Sequence, residues 1–97
     1  DHLFVHLRLA GREQRAELGE GYTLEEVPAP PRFWGKSLRE LNLRAKEGVE
    51  VLLISRRKPD GERERVVPTP DTVIQEEDVL LLLGQARDIE RVRSLYV

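Results

Sequence analysis

Val79-Leu80-Leu81-Leu82-Leu83, bounded by Asp78 and Gly84, is the most apolar run of the chain. It is too short for a buried helix and has the length of a strand covered on both faces, so it must be central to a sheet. A second such segment, residues 49–56, puts Val49, Val51 and Leu53 on one face and Leu52 and Ile54 on the other. Two buried strands in a short chain demand partners, and the remaining segments have to supply them.

Between residues 35 and 48 the pattern turns helical. Ser37-Leu38-Arg39-Glu40 reads as a capping box, with the Ser37 hydroxyl on the backbone N–H three residues on and Glu40 reaching back. Leu38, Leu41 and Ala45 fall on one face of a helix of about two turns. Gly48 is its natural stop. Upstream, residues 22–27 alternate as a half-buried strand with Tyr22 and Leu24 on one face, until Pro28, Pro30 and Pro31 end the ladder. Phe33 and Trp34 make an apolar lid over the next helix.

Downstream, Pro59-Asp60-Gly61 is turn chemistry, and residues 62–67 return as a charged outer strand of a hairpin. Residues 72–74 make a brief extended piece. Residues 88–96 read as a closing helix, with Ile89, Val92 and Leu95 or Tyr96 facing the core. Residues 2–18 fit strand and helix spacing equally, through Leu3, Val5, Leu7 and Leu9. The expected fold class is α+β: a small mixed β-sheet with a short capped helix and a C-terminal helix, in a dimer-forming domain. A connecting segment over residues 1–21 leads into a domain over residues 22–97.

The chain has 97 residues, one domain's worth, and a domain this small buries roughly 60–70% of its unfolded surface. With 39% apolar and 35% charged residues and a net charge of −2, it is globular and lacks the basic excess of a dedicated nucleic-acid binder. No Cys is present, which excludes disulfides and thiolate zinc sites. No apolar run reaches the ~18–20 residues of a membrane span. The absence of Met, even at position 1, points to a piece of a larger protein or a processed one. Scarce Met and Cys beside abundant Arg and Glu suit a heat-adapted source.

Gly35-Lys36-Ser37 invites a P-loop reading, but Pro30 stands where that loop needs Gly, so the capped helix is preferred. His2 and His6 stand four apart without an acidic or third His partner, and are read as solvated rather than metal-bound. The acidic runs Glu25-Glu26 and Glu76-Glu77-Asp78 read as solvated edges. No Ser–His–acid set exists, so an enzyme is not expected. Arg56, Arg57, Lys58, Arg63 and Arg65 cluster on the hairpin, where interleaved Asp60, Glu62 and Glu64 reduce them to a charge-protected edge.

The ordered set Gly35-Lys36-Ser37-Leu38, Leu41-Asn42-Leu43-Arg44, Gly48-Val49, Pro68-Thr69-Pro70-Asp71-Thr72-Val73-Ile74 and Glu77-Asp78-Val79-Leu80 through Gly84 resembles the TrkA-C domain. This is the C-terminal half of the RCK, or KTN, regulators of potassium transport, and the similarity runs from about Tyr22 to Leu95. The resemblance implies a homodimer on the cytoplasmic side of a cation channel or transporter, fused to it or separate. Several members bind cyclic di-AMP at the dimer interface, and a ligand that prefers one geometry biases the attached gate.

Carried over, the nucleotide groove would fall on Leu38, Arg44, Lys46, Glu50, Val51 and Pro68. Arg44 would meet a phosphate with Lys46 close by, and Leu38, Val51 and Pro68 would floor the adenine rings. The chain departs from the pattern at Glu50, where ligand-binding members carry Asn. A carboxylate ~6 Å from a phosphate costs roughly 2–3 kcal/mol at an effective dielectric of ~20. That departure motivates an alternative, a structural dimerisation module of a membrane transporter without ligand. No Gly-x-Gly-x-x-Gly unit is present, so NAD is not expected.

Overall fold

A computed structural model describes residues 15–96. Five strands form one sheet: β1 (Arg15–Gly19), β2 (Tyr22–Pro28), β3 (Glu50–Arg57), β4 (Arg63–Val66) and β5 (Val79–Gln85). Their order is β1-β2-β5-β3-β4, which puts the apolar run at the centre as its composition demands. The pairings are all antiparallel, where a mixed sheet was expected. Residues 15–19, expected to lie in a connecting segment, form the β1 edge; His2, His6 and the ambiguous apolar residues 3–9 lie outside the described residues.

Among the described residues are three short α-helices: α1 (Leu38–Leu41) and α2 (Leu43–Glu47) between β2 and β3, and α3 (Ala86–Arg93) after β5. Val27, Ile54, Leu80 and Leu82 meet Leu43 of α2, Ile89 and Val92 of α3, and Phe33 in one core. Leu24, Leu53, Leu81 and Leu83, on the other face of the sheet, are half-buried. In β2 the buried face is therefore Thr23, Glu25 and Val27, not the Tyr22/Leu24 face. Leu95 rather than Tyr96 packs on the core, since Tyr96 is exposed.

The β3 alternation also differs from the expected one. Val51 pairs with Leu82 and Leu53 with Leu81, so Leu52 is left over as a β-bulge. One extra residue reverses the parity of everything beyond it. Val51 and Ile54, an odd number of residues apart, thus share the core face, and Leu52 is exposed.

The capping box is complete: Glu40 N donates to Ser37 Oγ at 3.1 Å and Ser37 N to Glu40 Oε1 at 2.8 Å. The helix it starts is broken at Asn42, whose φ of +48° is the left-handed conformation that Asn tolerates better than most residues. This kink re-aims the second segment, so Leu43 enters the core and Ala45 is exposed, contrary to a continuous helix with Ala45 inside. Gly48 then ends α2 at φ +74°, where a Cβ would stand 2.9 Å from Asp88 Oδ2. Gly84 lets β5 approach the same turn, since a Cβ there would meet the Gly48 carbonyl at 3.1 Å.

Two acidic residues expected at solvated edges are buried instead. Asp78 accepts from Arg56 Nε at 3.0 Å and Nη2 at 2.8 Å, and from Gln75 N at 2.8 Å. Arg56 also donates to Val73 O, so it anchors the long β4–β5 connection rather than serving only as edge charge. Its hydrogen bond with Asp78 raises the Arg56 pKa above its ordinary value, against the opposing effect of burial. Glu25 is held by Arg93 and Thr23, tying β2 to α3. A buried carboxylate needs such partners, and the two arginines lie 22 and 68 positions away in sequence.

Candidate functional site

A groove of about 250 Å³ opens between the kinked helix, the start of β3 and the segment after β4. Its base is built from core residues: Leu43 and Val49 are nearly fully buried, and Leu38 and Val51 are packed against the core. Pro68, Thr69 and Pro70 form the facing wall. That wall is held by the helix start, where Leu38 N donates to Thr72 O at 3.0 Å and Arg39 N to Pro70 O at 2.8 Å. These bonds use N–H groups that a helix N-terminus leaves without intrahelical partners, so the Gly35-Lys36-Ser37 turn offers no P-loop-like cradle. Arg39 adds contacts to Asp71 Oδ1 at 3.1 and 3.2 Å.

The structure brings five of the six expected ligand residues together: Leu38, Arg44, Glu50, Val51 and Pro68 all line this groove. Lys46 does not line it and is exposed. Two positions on from Arg44, it projects about 200° around the helix, toward the opposite side. Arg39, Asn42, Leu43, Val49, Thr69 and Pro70 complete the lining and were not among the expected residues. Asn42 carried the available signal, because an Asn between two apolar helical positions is a candidate left-handed kink.

The polar feature of the groove is an ion pair across it. Arg44 Nε donates to Glu50 Oε1 at 2.7 Å, and Nη2 stands 2.6 Å from the same oxygen as an ion-pair contact. The side chains are 81% and 40% exposed, so the pair adds at most about 1 kcal/mol to stability. Its effect is on charge: the guanidinium expected to meet a phosphate already faces a carboxylate. The wall carrying Arg44 is braced by α3, where Arg91 reaches Asp88 Oδ1 at 2.6 Å and Glu47 Oε1 at 3.3 Å. Hydrogen bonds to Asp88 and then Glu47 raise the Arg91 pKa. Among the described residues no cluster of metal-ligating side chains occurs, and no helix is long and apolar enough to cross a membrane.

Comparison with known proteins follows this architecture closely. A sequence profile of the TrkA-C domain matches residues 22–96. Ktr system potassium uptake protein C of Bacillus subtilis (strain 168) is 37% identical over 75 residues, which are 77% of this chain and 32% of that protein. Ktr system potassium uptake protein A of the same organism is 35% identical over 78 residues, 80% of this chain and 33% of that protein. The chain thus spans about a third of the length of these relatives.

Among solved structures, the C domain of the KtrA regulator of conductance of K+ (RCK), in complex with cyclic di-AMP, is similar with a TM-score of 0.64 and 26% identity. The similarity covers 73% of this chain and 79% of that one. The GsuK RCK domain is similar with a TM-score of 0.63 and 27% identity, over 79% of this chain and 16% of that one. A capped and kinked helix feeding an antiparallel sheet, and a profile match over most of the chain, have one reading: the chain belongs to the TrkA-C domain family.

Proposed function

We propose that this domain is a cytoplasmic ligand-sensing regulator of a cation transporter or channel, with potassium as the ion. In this reading it binds a small anionic nucleotide such as cyclic di-AMP in the Leu38–Arg44–Glu50–Val51–Pro68 groove. The groove stands at a homodimer interface, and the transporter is fused to the domain or separate. Ligand binding favours one dimer geometry and shifts the gate by its differential affinity. The role is regulatory and not catalytic.

One observation carries the reading. The residues that the family resemblance assigns to a nucleotide, Lys46 excepted, converge on a single groove with an apolar base and an arginine at its wall. The similarity to a KtrA RCK C domain in complex with cyclic di-AMP supports the same ligand chemistry. Calorimetric titration with cyclic di-AMP tests it, on the native chain and on Glu50→Asn. Releasing Arg44 from Glu50 should strengthen binding by about tenfold or more, from the charge repulsion removed. No heat from either protein at high micromolar ligand would remove cyclic di-AMP from the reading.

The Arg44–Glu50 pair favours a second reading, a structural dimerisation module without ligand. In that case the pair is a surface contact and its removal changes neither dimer nor ligand response.

A further inference from the structure

We propose that Glu50 makes the groove selective for guanine, so that the nucleotide it prefers is a guanine rather than an adenine nucleotide. This rests on the reading of the groove as a nucleotide site and adds the identity of the base. Glu50 is held by Arg44. Its Oε1 accepts one hydrogen bond, from Arg44 Nε at 2.7 Å, with Nη2 in ionic contact at 2.6 Å, while among the described residues Oε2 accepts none. Arg44 likewise donates nothing from Nη1 among those residues. The pair therefore leaves an open acceptor and an open donor on two residues that line the groove.

An ionised carboxylate can only accept. Guanine offers it two adjacent donors, the ring N1–H and the exocyclic N2–H₂, with O6 next in line as an acceptor. Arginine is well matched to guanine's O6 and N7 acceptors. Adenine has one exocyclic amino group, flanked by the acceptors N1 and N7. It can give the carboxylate a single hydrogen bond, and bidentate contact would press a nitrogen lone pair against the second oxygen. The apolar groove residues Leu38, Val51 and Pro68 stack on any purine and do not discriminate. The difference is one hydrogen bond to a charged group, which corresponds to about tenfold or more in affinity.

The test is parallel calorimetric titration of the 97-residue chain with cyclic di-GMP and with cyclic di-AMP, repeated on Glu50→Gln. Gln keeps the size of the side chain and offers a donor beside an acceptor, the pattern that suits adenine. The native chain should bind cyclic di-GMP at least about tenfold tighter than cyclic di-AMP, and Glu50→Gln should abolish or reverse that ratio. Binding of both ligands with equal affinity or with adenine preferred, in the native chain, overturns guanine selectivity and leaves the groove reading standing. A guanine preference that survives Glu50→Gln also overturns it, since the selectivity then comes from elsewhere. Binding of neither ligand to either protein, each shown folded by its thermal transition, overturns the nucleotide reading and this proposal with it.

Discussion

Among the described residues, Asp78 and Arg56 form the most deeply buried ion pair. The Asp78 side chain is fully buried and that of Arg56 is 17% exposed, so neither charge can turn to water if the other is removed. Breaking such a pair by deleting one partner costs about 3–5 kcal/mol, far more than the pair itself is worth. Asp78→Ala should therefore lower the unfolding free energy by about 3 kcal/mol, read from the urea midpoint at constant slope. A loss under about 1 kcal/mol would show that Arg56 reaches solvent. Both residues were visible in the sequence only as members of charge runs. Their pairing spans 22 positions and depends on a long irregular connection folding back, which no local pattern encodes.

At the scale of elements, the capped helix offers the sharpest test. Ser37 Oγ satisfies one backbone N–H and positions Glu40 to satisfy another, so Ser37→Ala should cost about 1 kcal/mol. For a domain of this size that is a fall of roughly 4–8 °C in Tm, measurable by circular dichroism. An unchanged Tm would mean that the bonds from α1 to Pro70 and Thr72 hold the helix start without the cap. The capping box, the hairpin turn, the central β5 and the apolar face of α3 were all legible, because each is specified by residues a few positions apart. The Asn42 kink and the Leu52 bulge were not. Both insert a change of phase into an otherwise regular period, and a periodic reading carries the old phase forward. That is why Ala45 was expected inside and Val51 and Ile54 on opposite faces. Five of the six groove residues could nevertheless be named in advance through the family resemblance. Lys46 could not be placed, because its direction depends on the helical phase after the kink.

For the whole molecule, the regulatory reading requires two copies. Light scattering of the purified chain should give twice the chain mass of 11.2 kDa at micromolar concentration. A mass of one chain across the accessible range would count against a groove completed by a partner. If the dimer forms, added nucleotide should tighten it, since a ligand that binds only the paired state stabilises that state by mass action.

The bulge at Leu52 has one more consequence, for tolerance to changes in chain length. Because Val51 is in register with Leu82 and Leu53 with Leu81, Leu52 is supernumerary in the ladder. Its deletion would let the strand close up with the flanking pairs intact, whereas deleting Leu81 from the unbulged β5 would turn half of that strand inside out. The Leu52 deletion should leave a cooperatively folded protein and the Leu81 deletion should not, as unfolding curves of the two would reveal. The spare residue lies directly after Glu50 and Val51, so the shortened strand would re-aim the groove wall while sparing the core. The domain thus carries a place where loss of a single codon could retune recognition without unmaking the fold.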